Sequence, residues 1–327
     1  MEIIVSAFIF CIILFLYLHI QFHLKTSDDL EVFEIEQFSK DKLEEICDLR
    51  QPVLFDLDNS NKIIDSTNKT VLLNNYPVFE VKVRNTNETG ATVSTYLPLQ
   101  LKMAAKLCEE DTASSYFSEN NSDFLLETGI IKHFQYNDEL LRPHMVSNCY
   151  YDVVFGSQGT VTPFRYEINY RNYFMVTQGE LRVKMTPPRN GKYLSETKDY
   201  ELMEFISPIN PWSPDAKHLA DFDKVKCLEI VLLPGKCLYI PAYWWYSFKL
   251  NKDTSISCCK YRTYMNNAAV LPHLWMYLLQ NQNVSHKIAK YAHSVRPKPD
   301  ENVVTEPAAN VNPSEIDSST PIEPLNN

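Results

Sequence analysis

A chain of 327 residues with a net charge of −10 at pH 7 can form one large domain or two small ones. Its charge argues against nucleic-acid binding, which needs a basic surface that displaces counterions from phosphates. Hydrophobic residues make up 45% of the chain and charged residues 22%, as in ordinary globular proteins. We therefore expect a globular body and no nucleic-acid partner.

The first element is an apolar segment, MEIIVSAFIFCIILFLYLHIQF, with no charged residue after Glu2. Residues 3–22 match the roughly 20 residues that cross the hydrocarbon core of a bilayer. A cleaved signal peptide is the alternative, but no Lys or Arg precedes the segment and no A-x-A-like site follows it. We expect residues 1–25 to be a single-pass membrane anchor. The two flanks differ little in charge, and His23 and Lys25 favour a cytosolic C-terminal body.

The rest of the chain divides into a body, residues 29–293, and a tail, residues 294–327. In the body, FSKDKLEEICDLR predicts a helix with Ser39 as its N-cap. PVLFDLD and YPVFEVKV predict strands, whereas LPLQLKMAAKLCEED and SDFLLETGIIKHF have helical spacing. The tail contains six prolines and few aliphatic residues, so we expect it to be a disordered, acidic, Pro-rich segment.

From Tyr150 onward the sequence becomes a series of strand patterns separated by turn residues, which indicates a sandwich or barrel with its core at about 150–265. A helix is predicted at about 268–293, with Pro272 in its first turn. Its apolar stripe contains Leu274, Trp275, Leu278 and Leu279. We interpret this helix as a lid on the barrel or as the surface of a homodimer.

Two segments together resemble the cupin-like JmjC family, the double-stranded β-helix fold of iron- and 2-oxoglutarate-dependent hydroxylases. They are DVVFGSQGTVTPFRYEINYRNYFMVTQGE and LEIVLLPGKCLYIPAYWWYSF, and the resemblance extends over roughly 32–265. It implies a mainly β fold with flanking helices and a JmjC-like cupin barrel. The positions that agree with the family pattern are Gly156, Gly159, Thr160, Thr162, Pro163, Asn172, Gly179, Pro234, Gly235, Ile240, Pro241, Trp244 and Trp245.

The chain departs from the family where the resemblance places the chemistry. The family holds Fe(II) with an H-x-D motif and a distal His, positions that fall on Arg165, Glu167 and Tyr246. The Lys that pairs with 2-oxoglutarate falls near Leu181. A guanidinium has no acceptor and stays protonated, so Arg165 cannot ligate a metal. We therefore expect no catalytic residues, no metal and no cofactor.

The replaced positions still predict a site. Strand alternation places Arg165 and Glu167 on one face, about 7 Å apart. Our hypothesis is that Arg165 takes the position of the metal, with Glu167 and the Tyr246 hydroxyl as partners, because an unpaired buried guanidinium is costly. Such a site is either a structural ion pair or a place where Arg165 holds an anionic small molecule. Asn172, Thr162 and Trp245 complete the predicted pocket.

Two functions follow. The first is a membrane-anchored cupin-like protein that lacks oxygenase activity and acts as a binding or scaffolding module. The second is an oxygenase-like or hydroxylase-like enzyme that builds a non-standard metal site from Glu167, Tyr246 and a further residue, and that requires Fe(II) and 2-oxoglutarate. Metal content distinguishes the two, because the first binds no metal in stoichiometric amount.

Overall fold

The computed structural model of the chain describes residues 1–36, 39–57, 62–86 and 96–282. The helices in these ranges are α1 (Glu2–Leu24), α2 (Lys40–Cys47), α3 (Lys62–Thr67), α4 (Lys69–Asn75), α5 (Leu101–Glu110), α6 (Ser122–Glu127), α7 (Ile131–Asn137), α8 (Leu219–Phe222), α9 (Tyr264–Ala269) and α10 (Leu271–Asn281). The strands are β1 (Phe33–Ile35), β2 (Val53–Asp56), β3 (Glu80–Asn85), β4 (Leu97–Gln100), β5 (Tyr116–Ser118), β6 (Val146–Gly156), β7 (Arg165–Tyr166), β8 (Arg171–Gln178), β9 (Leu181–Thr186), β10 (Thr197–Asp199), β11 (Glu204–Ile206), β12 (Leu228–Leu232), β13 (Lys236–Pro241), β14 (Trp245–Leu250) and β15 (Ser255–Thr263).

The strands form two sheets. The larger sheet has nine strands in the order β1-β2-β13-β8-β15-β6-β5-β3-β4, and the smaller has six in the order β10-β11-β7-β14-β9-β12. The chain passes back and forth between them, because β8, β13 and β15 belong to the larger sheet while β9 and β14 belong to the smaller. Within the described ranges no strand is shared, so the predicted barrel is corrected to two sheets whose edges do not close into a cylinder.

The core has one layer between the sheets and another outside the larger sheet. Phe174 and Val176 of β8 pack with Val183 of β9 and Phe248 of β14, and all four are fully buried. Tyr173, the neighbour of Phe174, belongs instead to the cluster that includes residues of α2 to α7. Both faces of β8 are therefore covered, which explains its nearly continuous apolar sequence.

Several predicted elements have different bounds in the structure. Ser39 is confirmed as an N-cap, since its side chain accepts a hydrogen bond from the Lys42 amide. LPLQLKMAAKLCEED is not helical throughout, because Leu97–Gln100 pairs with β3 and only the remainder forms α5. SDFLLETGIIKHF is divided into α6 and α7 at Gly129, whose φ is 74°. Tertiary pairing and a left-handed backbone thus override local helical spacing.

Helix α1 is long and apolar enough to cross a membrane by its length and composition, criteria that a signal sequence also meets. Most of its side chains are exposed, so the helix projects from the domain rather than packing in its core. Its C-terminal end differs, because Phe22 and His23 contact residues of the domain.

The predicted C-terminal helix is divided in two in the structure. The first part is α9, and the second is α10, which has Pro272 in its first turn as predicted. Leu274 of the predicted stripe packs inward, whereas Trp275, Leu278 and Leu279 are exposed. The predictions for residues 283–293 and for the tail at 294–327 lie outside the described residues.

Candidate functional site

A cavity of about 530 Å³ is bounded by strands of both sheets and by α10. Tyr150 and Asp152 of β6 and Lys260 and Arg262 of β15 contribute from the larger sheet. Arg165 contributes from the smaller sheet. The remaining lining residues include Glu119, Asn120, Tyr166, Glu167, Asn169, Glu201, Leu202, Met203, Glu204, Phe205, Leu274 and Tyr277.

Arg165 and Tyr246 are direct Cα partners where β7 pairs with β14. The Arg165 guanidinium lies 5.5 Å from the centroid of the Tyr246 ring and donates a 2.6 Å hydrogen bond to Glu119 Oε2. Glu119 follows β5 and is 46 residues earlier in the chain, with no sequence signal that links it to Arg165. The expected partners Glu167 and Tyr246 lie close by, but the direct ion pair is with Glu119.

Glu119 is the carboxylate that pairs with two arginine side chains. It forms ion pairs with Arg165 and Arg84, and its Oε1 accepts a hydrogen bond of 3.2 Å from the Tyr96 hydroxyl. Arg84 and Tyr96 also bind Glu204. Burial alone would raise the pKa of Glu119, but the charges of Arg165 and Arg84 outweigh it and lower the pKa to about 2. Glu119 is therefore ionised at neutral pH and neutralises the buried guanidinium.

Glu167 is the centre of a second group of polar contacts. Its Oε1 accepts hydrogen bonds from the Tyr246 hydroxyl at 3.0 Å and from Lys260 Nζ at 2.6 Å, and its Oε2 accepts one from Asn169 Nδ2 at 3.2 Å. Burial would raise the pKa of Glu167, but the charge and hydrogen bond of Lys260, the charge of Arg165 and the hydrogen bond from Tyr246 together outweigh burial and lower the pKa. Burial raises the pKa of Tyr246 well above its ordinary value, so its hydroxyl stays protonated and acts as a donor.

Asp152 lies beside these two groups, and its pKa is shifted in the opposite direction to those of Glu119 and Glu167. Its oxygens accept hydrogen bonds from the backbone amides of Asn120 at 2.8 Å and Asn121 at 2.7 Å. Burial raises the pKa of Asp152 to about 6, and the two amides and Lys260 offset only part of that effect. Asp152 is therefore the lining carboxylate whose charge changes near neutral pH.

The other predicted site residues are buried outside the cavity wall. Asn172 is the Cα partner of Lys260, and its amide donates to the Ile240 carbonyl at 3.1 Å. Thr162 Oγ1 accepts a hydrogen bond of 2.8 Å from the Phe248 amide. Trp245 packs edge-on against Tyr166, with ring centroids 4.9 Å apart. These side chains hold the strands around the cavity and do not line it.

The residues at the positions that the resemblance assigns to iron do not fit that metal. Arg165 presents only donors, Tyr246 remains a phenol, and both oxygens of Glu167 already accept hydrogen bonds. In the described ranges, no group of three or more His, Cys, Asp or Glu residues is arranged to hold a metal ion. Leu181, near the position of the 2-oxoglutarate Lys, is fully buried in the apolar core.

The lining of the cavity is not predominantly positive, as a site for an anionic ligand would be. Its lining contains five carboxylates and three cations, so negative charge predominates. Two of those cations, Arg165 and Lys260, are paired with Glu119 and Glu167. Arg262 stacks over Tyr150 and donates to Asn169 Oδ1, and it has no carboxylate within 4 Å among the residues that the structure describes. The cation left for an anionic ligand is therefore Arg262 and not Arg165.

Comparisons with known proteins give the same domain type. The cupin-like domain family matches residues 66–261. HSPB1-associated protein 1 of Homo sapiens and of Rattus norvegicus are each 33% identical over 92 residues, which is 28% of this chain and 19% of theirs. Lysine-specific demethylase 8 of Danio rerio is 29% identical over 104 residues, 32% of this chain and 25% of that protein. The chain thus matches between a fifth and a quarter of the length of these relatives.

Proposed function

Because the chain belongs to the cupin-like domain family, we propose that it is a membrane-anchored binding or scaffolding module in which two ion pairs replace an oxygenase site. One observation carries this proposal: Arg165 and Glu167, at two of the positions that the resemblance assigns to metal ligands, are bound to Glu119 and Lys260. A guanidinium and an ammonium there would repel a divalent cation, and Glu167 has no unengaged oxygen to offer it.

The names of the relatives agree with either a binding or a catalytic role. HSPB1-associated protein 1 is named for an association, whereas lysine-specific demethylase 8 is named for a reaction. Whether this chain has a binding or a catalytic role therefore has to be inferred from its own site residues. These residues support binding, since the cavity is retained while the acceptors that a metal needs are replaced by donors or are already engaged.

The membrane anchor is a second part of the proposal. Helix α1 is supported as an anchor by its length and apolar composition and by side chains that remain exposed to the solvent along most of the helix. We propose that the domain lies on the cytosolic side, a proposal supported by His23 and Lys25 on the C-terminal flank of α1.

Metal analysis tests the loss of the oxygenase site. The full chain in detergent micelles is incubated with Fe(II), Mn(II) or Zn(II), freed of excess metal and assayed for bound metal. It is compared with an R165H/E167D/Y246H variant, with and without the further change Lys260→Met, because Lys260 would otherwise still occupy the carboxylate. We expect no stoichiometric metal in the natural protein and one equivalent in the variant that also lacks Lys260. Stoichiometric metal in the natural protein would instead support an oxygenase-like enzyme with a non-standard site.

A further inference from the structure

The C-terminal end of α1 is fixed to the domain by buried side chains. Arg50 is only 2% exposed, and its Cζ lies 4.9 Å from the centroid of the Phe22 ring and 4.6 Å from that of Tyr170. His23 is also buried, with its ring 5.0 Å from Tyr170 and its Nε2 3.3 Å from Thr263 Oγ1. The Arg50 guanidinium thus makes cation–π contacts with one ring of α1 and one ring of the domain. These contacts determine which part of the domain lies where α1 ends.

The part of the domain that contacts the end of α1 is also where the segment formed by α9 and α10 begins. Thr263, which contacts His23, is the N-cap of α9 and accepts a hydrogen bond from the Asn266 amide. The next residue, Tyr264, is exposed and donates its backbone amide to the carbonyl of Met145, another exposed apolar residue. Helix α10 follows directly after α9 and is about 16 Å long at 1.5 Å per residue. Helix α10 therefore begins eight residues after Thr263, the residue that His23 at the end of α1 contacts.

Helix α10 has two faces of different character. Its inner face packs on the domain, where Leu274 and Tyr277 line the cavity and Gln280 Oε1 accepts a hydrogen bond from the Tyr200 amide. Its outer face has no protein partner among the described residues and presents five large apolar side chains, with Trp275 61% exposed. These five are Leu271, Trp275, Met276, Leu278 and Leu279.

The composition of this face favours a bilayer over a soluble partner. Residues Leu271–Asn281 include no Asp, Glu, Lys or Arg, and an apolar patch of this kind on a soluble protein indicates an interaction surface. Trp is enriched at the interface between lipid and water, where its ring is buried and its N–H reaches the polar headgroups. The face is also continuous with the end of the candidate membrane-spanning helix, through Thr263 and α9.

We propose that the outer face of α10, consisting of Leu271, Trp275, Met276, Leu278 and Leu279, lies in the headgroup region of the bilayer that α1 crosses. This inference rests on the proposed membrane anchor and extends it: the domain contacts the bilayer through a second, in-plane helix. Because Leu274 and Tyr277 of the same helix line the cavity, one wall of the cavity then lies against the membrane surface.

Fluorescence quenching in vesicles tests the proposal with the full chain. The protein is reconstituted into phosphatidylcholine vesicles with or without bromine on the acyl chains, because brominated lipid quenches only Trp residues close to it. The chain has four Trp residues, and Trp244 and Trp245 are buried in the core. The difference between the natural protein and a W275F variant therefore isolates Trp275. A second variant, F10W in the W275F background, reports on α1 by the same measurement.

The proposal predicts that brominated lipid removes most of the Trp275 fluorescence and that of Trp at position 10. Quenching at position 10 without quenching of Trp275 overturns the proposal and leaves the anchor intact. Quenching of Trp275 alone supports the in-plane helix and overturns the anchor. If neither is quenched, both are overturned. A second copy of the chain on this face would leave Trp275 unquenched, and a dimer in detergent would become a monomer in a Leu278→Glu variant.

Discussion

Lys260 Nζ lies 2.6 Å from Glu167 Oε1 and joins the last strand of the larger sheet to the segment that follows β7 in the smaller. The two residues are 93 positions apart in the chain, and their bond crosses the cavity wall from one sheet to the other. Since Glu167 is at the position that the resemblance assigns to a metal-binding carboxylate, Lys260 supplies the positive charge that a metal would supply elsewhere in the family.

Replacing Lys260 with Met leaves the Glu167 carboxylate without its cation. We expect the free energy of unfolding to fall by about 2–3 kcal/mol at pH 7, less than the roughly 3–5 kcal/mol of a fully buried pair, because the two side chains are 24% and 19% exposed. Urea unfolding of the full chain in detergent measures this. The K260M/E167Q double variant should recover most of the loss, and a K260M protein as stable as the natural one would contradict the expectation.

Arg165 and Glu119 should be strongly coupled, because their side chains are only 11% and 6% exposed. We expect a double-mutant cycle of R165M and E119Q to give a coupling free energy of about 2 kcal/mol, within the range for contacting residues. Arg84 also pairs with Glu119 and keeps the R165M protein from losing the full energy of a buried pair. Additive effects of the two single changes would show that the ion pair does not stabilise the fold.

Asp152 should make the protein more stable in mild acid. Its pKa is raised from 3.8 to about 6 in the folded protein, so its contribution is complete below pH 3.8 and is lost as the pH rises through about 6. As the pH rises between these limits, the free energy of unfolding of the natural protein should fall by up to about 3 kcal/mol relative to that of an Asp152→Asn variant. Unfolding curves at a series of pH values measure the difference. A difference independent of pH would exclude the raised pKa. Glu119, whose pKa is lowered from 4.5 to about 2, adds a pH dependence of its own between those values, but both proteins contain Glu119 and the effect cancels in the difference.

Gly179 connects β8 of the larger sheet to β9 of the smaller and has a φ of +75°. A Cβ atom there would lie 2.7 Å from the backbone Cα of Thr254, so a Gly179→Ala change combines left-handed strain with a clash. We expect the Gly179→Ala change to lower the free energy of unfolding by about 3 kcal/mol. Gly129→Ala is the matched control, with φ of +74° and no described atom within 4 Å of the added carbon, and should cost about 1–2 kcal/mol. If urea unfolding gives equal losses for the Gly179→Ala and Gly129→Ala variants, the backbone at Thr254 has shifted to make room for the added carbon.

The sequence was informative where the determinant was local. Alternation along one strand placed Arg165 and Glu167 together, and both line the cavity. Glu119 and Lys260, the charges that neutralise them, could not be predicted, because they come from distant parts of the chain and belong to no motif. The sequence KCLYIPAYWWYSFKL, residues 236–250, has the pattern of one continuous strand, but it breaks at Tyr243, whose φ is 65°, and β13 and β14 on either side belong to different sheets. Such a turn has no sequence signature when the residue is not Gly or Asn.

The position of β15 has a consequence for synthesis of the protein. Although it is the last strand among the residues that the structure describes, it lies in the interior of the larger sheet, between β8 and β6. Until residue 263 has left the ribosome, β8 and β6 each expose an unpaired edge, and the cavity lacks Lys260 and Arg262. A chain that stops before Ser255 therefore misses the middle of its larger sheet rather than its margin. A nascent polypeptide would need protection from aggregation until β15 has been synthesised.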